Sequence, residues 1–275
     1  MHTCTVLFDN SVENFPHAKN GHGLSLFIEV DDLSILFDTG PNSDFIYNAT
    51  LLKKNLNAVD TVILSHSHYD HCCGYREFVE RYRCRELICG SRFFFDKYAL
   101  IDGMYYYKGV NFDDKFLNCH VIHTDLVENC LKLTKNISIH SSIKNTESFE
   151  PLPKRYFFRD SKGYKKDEFL DESVMVIDKG KDLTLIVGCS HPGIVSIVKH
   201  VSKVHKKPVK TIIGGIHLLK AKKERIDKVI DELENHGVET VYFGHCTGKH
   251  VVERMKERES KIAAHYFSTG AVIEL

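Results

Sequence analysis

Thr61-Val62-Ile63-Leu64-Ser65-His66-Ser67-His68-Tyr69-Asp70-His71 decides how this chain reads. Thr61 to Leu64 is a short apolar, β-prone run that stops at Ser65-His66. At an extended strand end, residues two apart point the same way, so His66 and His68 can face one metal ion. The chain must then turn, and Asp70 and His71 in that turn can face a second ion beside the first, with Asp70 as the catalytic carboxylate of the set. The alternative is a solvated loop in which histidines happen to cluster. Four ligand-type residues within six positions, directly after a buried strand, argue against it.

Working outward, Leu24 to Val30 and Ser34 to Asp38 are apolar runs separated by Asp31-Asp32-Leu33, which reads as a hairpin. Phe45 to Leu56 can be helical. The second half is more regular. Val174 to Ile177 and Leu183 to Val187 read as paired strands joined by a loop rich in turn residues. A helix from about Gly193 to Val204 aligns Ile194, Ile197, Val198 and Val201 and is followed by a strand, Val209 to Ile213. A second helix, about Lys222 to His236, aligns Ile226, Val229, Ile230 and Leu233 and ends at Gly237. A strand, Thr240 to Phe243, and a helix carrying Val251, Val252 and Met255 complete an α/β layered alternation.

The stretch from about 91 to 170 is less periodic and crowds together Phe93, Phe94, Phe95, Tyr98, Tyr105, Tyr106, Tyr107, Phe112 and Phe116. These rings either fill a local core or an oligomer contact, or form a cap over a pocket that stacks on a planar substrate.

The 275 residues carry 37 Lys+Arg against 37 Asp+Glu, a balance that argues against gripping nucleic acid or an anionic membrane by bulk charge. Lys206-Lys207 and Lys220 to Arg225 read as solvated helix faces. Seventeen histidines are an excess that invites a search for clusters. His200, His205, His236 and His250 fall on helix faces or ends and receive no role. The nine cysteines include no CxxC pair, so neither a disulfide framework nor a zinc ribbon is expected. With no signal-type N-terminus and no long apolar window, a cytoplasmic location is expected.

The HxHxDH run after an apolar strand, preceded by Leu36-Phe37-Asp38-Thr39-Gly40, resembles the metallo-β-lactamase fold superfamily. Asp9-Asn10, His22-Gly23-Leu24-Ser25, Asp171-Glu172, Gly188-Cys189-Ser190-His191-Pro192-Gly193-Ile194, Gly214-Gly215-Ile216-His217-Leu218 and Gly244-His245-Cys246-Thr247-Gly248 are similar to its 7,8-dihydropterin-6-methyl-4-(β-D-ribofuranosyl)aminobenzene 5′-phosphate synthase-like subfamily. The motifs run in order across nearly the whole chain. The resemblance implies one domain over 1–275, a four-layer αβ/βα sandwich of two similar halves with its metals at the shared edge of the two sheets. His191 and His245, each after an apolar strand and before a helix, are the expected further ligands. Cys189 stands where many relatives have a bridging aspartate, so a thiolate ligand is an option, and a soft one would favour zinc. Asp171 and Glu172 replace a histidine usual in the superfamily, and either could ligate metal or hold a ligand imidazole in its tautomer. Asp38 resembles the aspartate that supports the metal loop from beneath. His217 could be a ligand, a substrate contact or a proton donor, and His22, in Gly-His-Gly, is a substrate-side candidate because glycines permit close approach to a ligand. Cys73 occupies a position often held by glycine, which puts the usual close backbone approach there in doubt.

Two divalent ions, zinc before iron or manganese, can bridge a hydroxide and offset charge on a leaving oxygen. The leading expectation is a metal-dependent hydrolase of a small anionic ester, phosphoester or lactone. The alternatives are a transferase condensing a dihydropterin diphosphate with a ribofuranosylaminobenzene phosphate, and a binding or sensing module without turnover. A di-iron oxygen or nitric oxide site ranks below these, because its relatives typically carry Glu in place of His68 and append a flavodoxin domain. The expected partner is a small molecule rather than nucleic acid or membrane, with a homo-oligomer left open.

Overall fold

Strand pairing and helix packing divide the computed structural model, which describes residues 2–59, 61–83 and 86–275, into two compact units. The first is built from Met1–Leu126, Lys154–Asp167 and Ser268–Leu275, the second from Val127–Pro153 and Glu168–Phe267.

The first unit holds a seven-stranded sheet made of β1 (Thr3–Phe8), β2 (Ser25–Val30), β3 (Leu33–Phe37), β4 (Thr61–Leu64), β5 (Glu86–Gly90), β8 (His123–Val127) and β18 (Val272–Glu274), in the order β18-β1-β2-β3-β4-β5-β8. β2 and β3 are the expected hairpin, with Leu26 opposite Phe37 and Val30 opposite Leu33. Its turn places Asp31 and Asp32 at positive φ (50° and 63°), which these short polar residues tolerate better than most. β4 lies parallel between β3 and β5, and all four of its residues are buried. A strand covered on both faces reads as a continuous apolar run rather than an alternating one. Helices α1 (Asp44–Leu51), α2 (Tyr69–Cys72), α3 (Tyr75–Arg81) and α4 (Asp114–Cys119) belong to this unit, and Phe45, Ile46, Tyr75, Phe78 and Leu117 join the core formed with Leu36, Val62 and Leu64. The helix expected over Phe45–Leu56 is shorter. Lys53 at φ 56° leaves the helical region, and Asn55 then caps a single 3₁₀ turn, Leu56–Ala58, its side chain accepting from Asn57 N.

The aromatic span divides its rings between two roles. Phe93, Phe94, Phe112 and Phe116 pack with Tyr75 in or against the core of the unit. Tyr98 and Tyr105 lie on a separate four-stranded antiparallel sheet made of β6 (Asp96–Ile101), β7 (Met104–Tyr107), β11 (Tyr156–Asp160) and β12 (Gly163–Lys166), ordered β12-β11-β6-β7. On it the Tyr105 and Tyr164 rings stack at 3.7 Å and 2°. A buried ion pair, Lys97 Nζ to Asp167 Oδ2 at 2.7 Å, ties β6 to the end of this sheet.

The second unit holds the other seven-stranded sheet, with β9 (Cys130–Lys132), β10 (Ile137–His140), β13 (Val174–Asp178), β14 (Leu183–Val187), β15 (Val209–Gly214), β16 (Thr240–Phe243) and β17 (Ala263–Tyr266), in the order β17-β16-β15-β14-β13-β10-β9. β14, β15, β16 and β17 run parallel to one another, while β14 pairs antiparallel with β13, and the crossovers are supplied by α5 (Ile194–His205), α6 (Lys223–Asn235) and α7 (Lys249–Glu257). The apolar stripes read from the sequence are the faces these helices bury: Ile194, Ile197, Val198 and Val201 on α5, Ile226, Val229, Ile230 and Leu233 on α6, Val251, Val252 and Met255 on α7. Each fully buried aliphatic side chain contributes about 1.5–3 kcal/mol of transfer free energy. The chain is α/β, as expected. Among the described residues no helix is long and apolar enough to cross a membrane. Lys207, in one of the basic clusters, pairs with Asp178 at 2.7 Å. Cys84 lies outside the described residues, and the other eight cysteines are free thiols.

Candidate metal centre

In the first unit, β4 ends at Leu64 and delivers Ser65 onto Asp38, which follows β3. Ser65 N and Ser65 Oγ both donate to the Asp38 carboxylate at 2.7 Å. Having given its one proton to Asp38, the Ser65 hydroxyl accepts from His66 Nδ1 at 2.9 Å. The same carboxylate accepts from His71 Nδ1 at 2.6 Å. Both imidazoles are thereby fixed in the tautomer that carries the proton on Nδ1 and a lone pair on Nε2. Asp38 itself sits at φ 58°, a conformation uncommon outside glycine and held here by its buried hydrogen bonds.

The ligand-type atoms on the other side lie close to one another. His66 Nε2 and His68 Nδ1 are 3.1 Å apart, close to the ~3.3 Å that two nitrogens adopt on one tetrahedral ion with bonds of about 2.0–2.1 Å. Asp70 Oδ2 is 3.7 Å from His71 Nε2 and 3.1 Å from His22 Nε2. His66, His68, Asp70 and His71 are buried, while the His22 side chain is 56% exposed. The donor set and its fixed tautomers fit divalent ions.

Two backbone contacts compress the loop. At Gly23 a Cβ would come within 2.6 Å of Asp70 O, so this glycine serves the approach of the segment before β2 to the loop. At Gly74 a Cβ would meet Thr39 O at 2.2 Å and Asn42 O at 2.6 Å, and Gly74 N donates to Gly40 O at 3.0 Å. The close approach that Cys73 put in doubt is therefore present one residue later. The Cys73 thiol is directed to Gly109 O at 3.6 Å. Sequence reasoning missed Tyr156, whose ring lies 4.7 Å from that of His68; no spacing signal marks it, since β11 brings it there.

In the second unit the ends of β14, β15 and β16 form the other cluster. Glu172 is buried and gathers the turn after β14: its carboxylate accepts from Cys189 N (3.3 Å), Ser190 N (2.5 Å), His191 N (2.9 Å) and His191 Nδ1 (2.9 Å). His191 Nε2 is then the atom left for a ligand, and Phe169 stacks flat on the ring at 4.1 Å and 7°. Ser190, His217 and His245 all adopt positive φ (58°, 51° and 48°), each just beyond a strand end. Ser190 Oγ donates to Gly215 O at 2.9 Å and Ile216 N donates to Thr247 Oγ1 at 3.0 Å, which stitches the three ends together. One ligand atom from each of Cys189, His217 and Cys246 lies within 4.8 Å of the others, so Cys246 joins this cluster although the sequence gave it no role. Burial alone would raise the Cys246 thiol pKa. Hydrogen bonding with Cys189 and His217 outweighs it and holds the thiol well below its ordinary value. Asp171 and His245 are both buried at these loops.

A strand-end His/Asp loop over an aspartate, with a second ligand cluster on parallel strand ends, is the pattern of a metal-dependent enzyme class. The metallo-β-lactamase superfamily model matches residues 18–198, and the chain belongs to that superfamily. The chain is 31% identical over 276 residues to the 7,8-dihydropterin-6-methyl-4-(β-D-ribofuranosyl)-aminobenzene-5′-phosphate synthase of Methanocaldococcus jannaschii, with 92% of this chain and 90% of that one covered. An uncharacterised protein of the same organism is 28% identical over 261 residues, covering 94% of this chain and 96% of the other. The solved structure of Tm1679, a metal-dependent hydrolase of the β-lactamase superfamily, superposes with a TM-score of 0.86 at 27% identity, over 100% of this chain and 99% of that one.

Proposed function

We propose that the chain is a metal-dependent hydrolase that binds two divalent ions, zinc in preference to iron or manganese, and acts on a small anionic ester, phosphoester or lactone. The ligands assigned are His66, His68, Asp70, His71, His191 and His245, with Cys189 and Asp171 as further candidates. The observation that carries the reading is the tautomer lock at Asp38. Ser65 and Asp38 hold the proton-bearing sides of His66 and His71, so the nitrogens opposite are available as lone pairs. Glu172 does the same for His191. Bound ions would supply a nucleophile from water at neutral pH and offset charge on the leaving oxygen. Asp70 both ligates and accepts hydrogen bonds, and its partner His22, half out in solvent, is placed to meet substrate or pass a proton. With the chain's net charge at zero, attraction for an anionic substrate falls mainly to the ions. Free cysteines suit a reducing, cytoplasmic setting.

The test combines elemental analysis of purified protein with turnover of phosphodiesters, lactones and thioesters after reconstitution with each metal. Metal-dependent hydrolysis abolished by His68→Ala is expected; turnover that survives His68→Ala would overturn the assignment. A second reading, a transferase forming a dihydropterin–aminobenzene conjugate, is favoured by the name of the 31% identical relative. Offering a dihydropterin diphosphate together with a ribofuranosylaminobenzene phosphate to metal-replete protein separates the two: a condensation product supports the transferase, and its absence disposes of it.

A further inference from the structure

In the first unit the four-stranded sheet carries two cations to the metal loop. β6 fixes both through backbone hydrogen bonds. Near its start Lys97 O accepts from Lys108 N at 2.8 Å, and Lys108 O accepts from Tyr69 N, within the loop itself, at 2.8 Å. Near its end Leu100 N donates to the carbonyl of Arg155, the residue before β11, at 2.8 Å. Each cation lies on an aromatic ring that adjoins the ligand-type residues. Lys108 Nζ is 5.1 Å from the ring centroid of Tyr69, which separates His68 from Asp70 in the chain. The Arg155 guanidinium carbon is 4.8 Å from the Tyr156 ring centroid, and Arg155 Nη2 donates to Tyr156 Oη at 2.6 Å. The Tyr156 ring in turn lies 4.7 Å from that of His68.

Neither cation is neutralised locally. Arg155 belongs to a basic segment, residues 154–167, with six Lys and Arg against two Asp. Both acids are already engaged, Asp167 by buried Lys97 at 2.7 Å and Asp160 by Lys165 at 2.6 Å. Among the described residues neither Arg155 nor Lys108 forms an ion pair. Unpaired cations are common on a solvated surface. These two differ from that background in having a fixed backbone and a ring beneath the charge, next to His68 on one side and to Tyr69 on the other. Arg155 is exposed and Lys108 half-buried, so both can be reached from solvent.

We propose that Arg155 and Lys108 recognise a second anionic group of the substrate, a phosphate or carboxylate outside the bond that is broken. The inference rests on the metal-dependent hydrolase reading above and deepens it: with the reacting group at the metal loop, the two cations select molecules that carry a further negative charge at some distance from it. The substrate class narrows to small molecules with two or more anionic groups. Arg155 is the more selective of the pair, because a planar guanidinium offers several N–H donors to a carboxylate or phosphate and only one of them is spent on Tyr156. Tyr156 is a positioning residue. By accepting that hydrogen bond while packing on His68, it keeps the guanidinium beside the loop.

The experiment is calorimetric titration of the zinc-loaded full chain, at low ionic strength, with two probe series: alkylphosphonates, and ω-carboxyalkylphosphonates with two to six methylenes. Their carbon–phosphorus bond keeps both series intact in the presence of a hydrolase. In wild type at least one carboxylated probe should bind about fivefold or more tightly than its alkyl match, and added salt should erode that gain. In the double variant Lys108→Ala/Arg155→Ala the gain should fall below about twofold, and in Tyr156→Phe it should fall part of the way. A loss of fold or of metal would weaken both series together, so the ratio between them reports on the cations alone. A gain that survives undiminished in the double variant, or a wild type that binds the two series equally, would overturn the assignment and leave the metal reading standing. Binding of neither series would remove the metal reading and this inference with it.

Discussion

The His66–His71 loop and the Cys189–His191 turn both follow an apolar strand, yet they are assembled differently. In the first, four ligand-type residues come from six consecutive positions, and one carboxylate, Asp38, orients two of the imidazoles. In the second, ligand-type residues come from three strand ends spread over positions 189 to 246, and Glu172 spends most of its hydrogen bonds on backbone N–H groups of a single turn. A loop compact in sequence needs its side chains held. A cluster dispersed in sequence needs its backbone held first.

Four measurements can break or sharpen that contrast. The largest effect is expected at the first loop, where His68→Ala or Asp70→Asn should lower metal-dependent turnover by roughly 10³-fold or more, the scale of losing several kcal/mol of charge stabilisation. Steady-state rates beside metal content check it. Gly74→Ala comes next, because the new Cβ would press on two backbone carbonyls that cannot swing away. A loss of roughly 2–4 kcal/mol in chemical denaturation is expected. An unchanged midpoint would show that the loop adapts. Third, Asp38→Asn and Glu172→Gln should each weaken metal binding about 10–100-fold, as removal of a ligand's orienting partner does. Only Glu172→Gln should also lower the unfolding midpoint appreciably, since it alone anchors three backbone N–H groups. Equal stability losses in the two variants would erase the distinction.

The smallest effect concerns how the second turn passes into α5. The buried Glu150 carboxylate accepts from Ile194 N (3.0 Å) and Val195 N (2.9 Å) at the start of that helix. Burial raises it from 4.5 to about 7, outweighing those two hydrogen bonds and Arg225. An acid whose folded value lies above its unfolded one binds more protons when folded, so its contribution is full below about pH 4.5 and is lost as pH rises through about 7. Wild-type stability should therefore fall more steeply than that of Glu150→Gln across this window. Parallel profiles would show that the carboxyl is ionised throughout.

The same contrast explains what was legible beforehand. The first loop could be read because its period is that of an extended strand end followed by a turn. The helices α5, α6 and α7 could be read because their apolar spacing is the helical one. The four-stranded sheet could not. Its β7 is exposed along its whole length, so no inward and outward alternation marks it. Phe169 on His191, Tyr156 against His68 and Cys246 beside Cys189 were equally silent, since each contact joins residues without a shared local period.

By itself the sequence determined the α/β class, the strand-end placement of the metal loop and the superfamily, because each depends on residue type at short spacing. Only the tertiary structure decided which nitrogen each imidazole presents, that Gly74 rather than residue 73 takes the close backbone approach, and that Tyr156 meets His68. Those outcomes depend on hydrogen bonds and packing between residues far apart in the chain, and local periodicity carries no record of them.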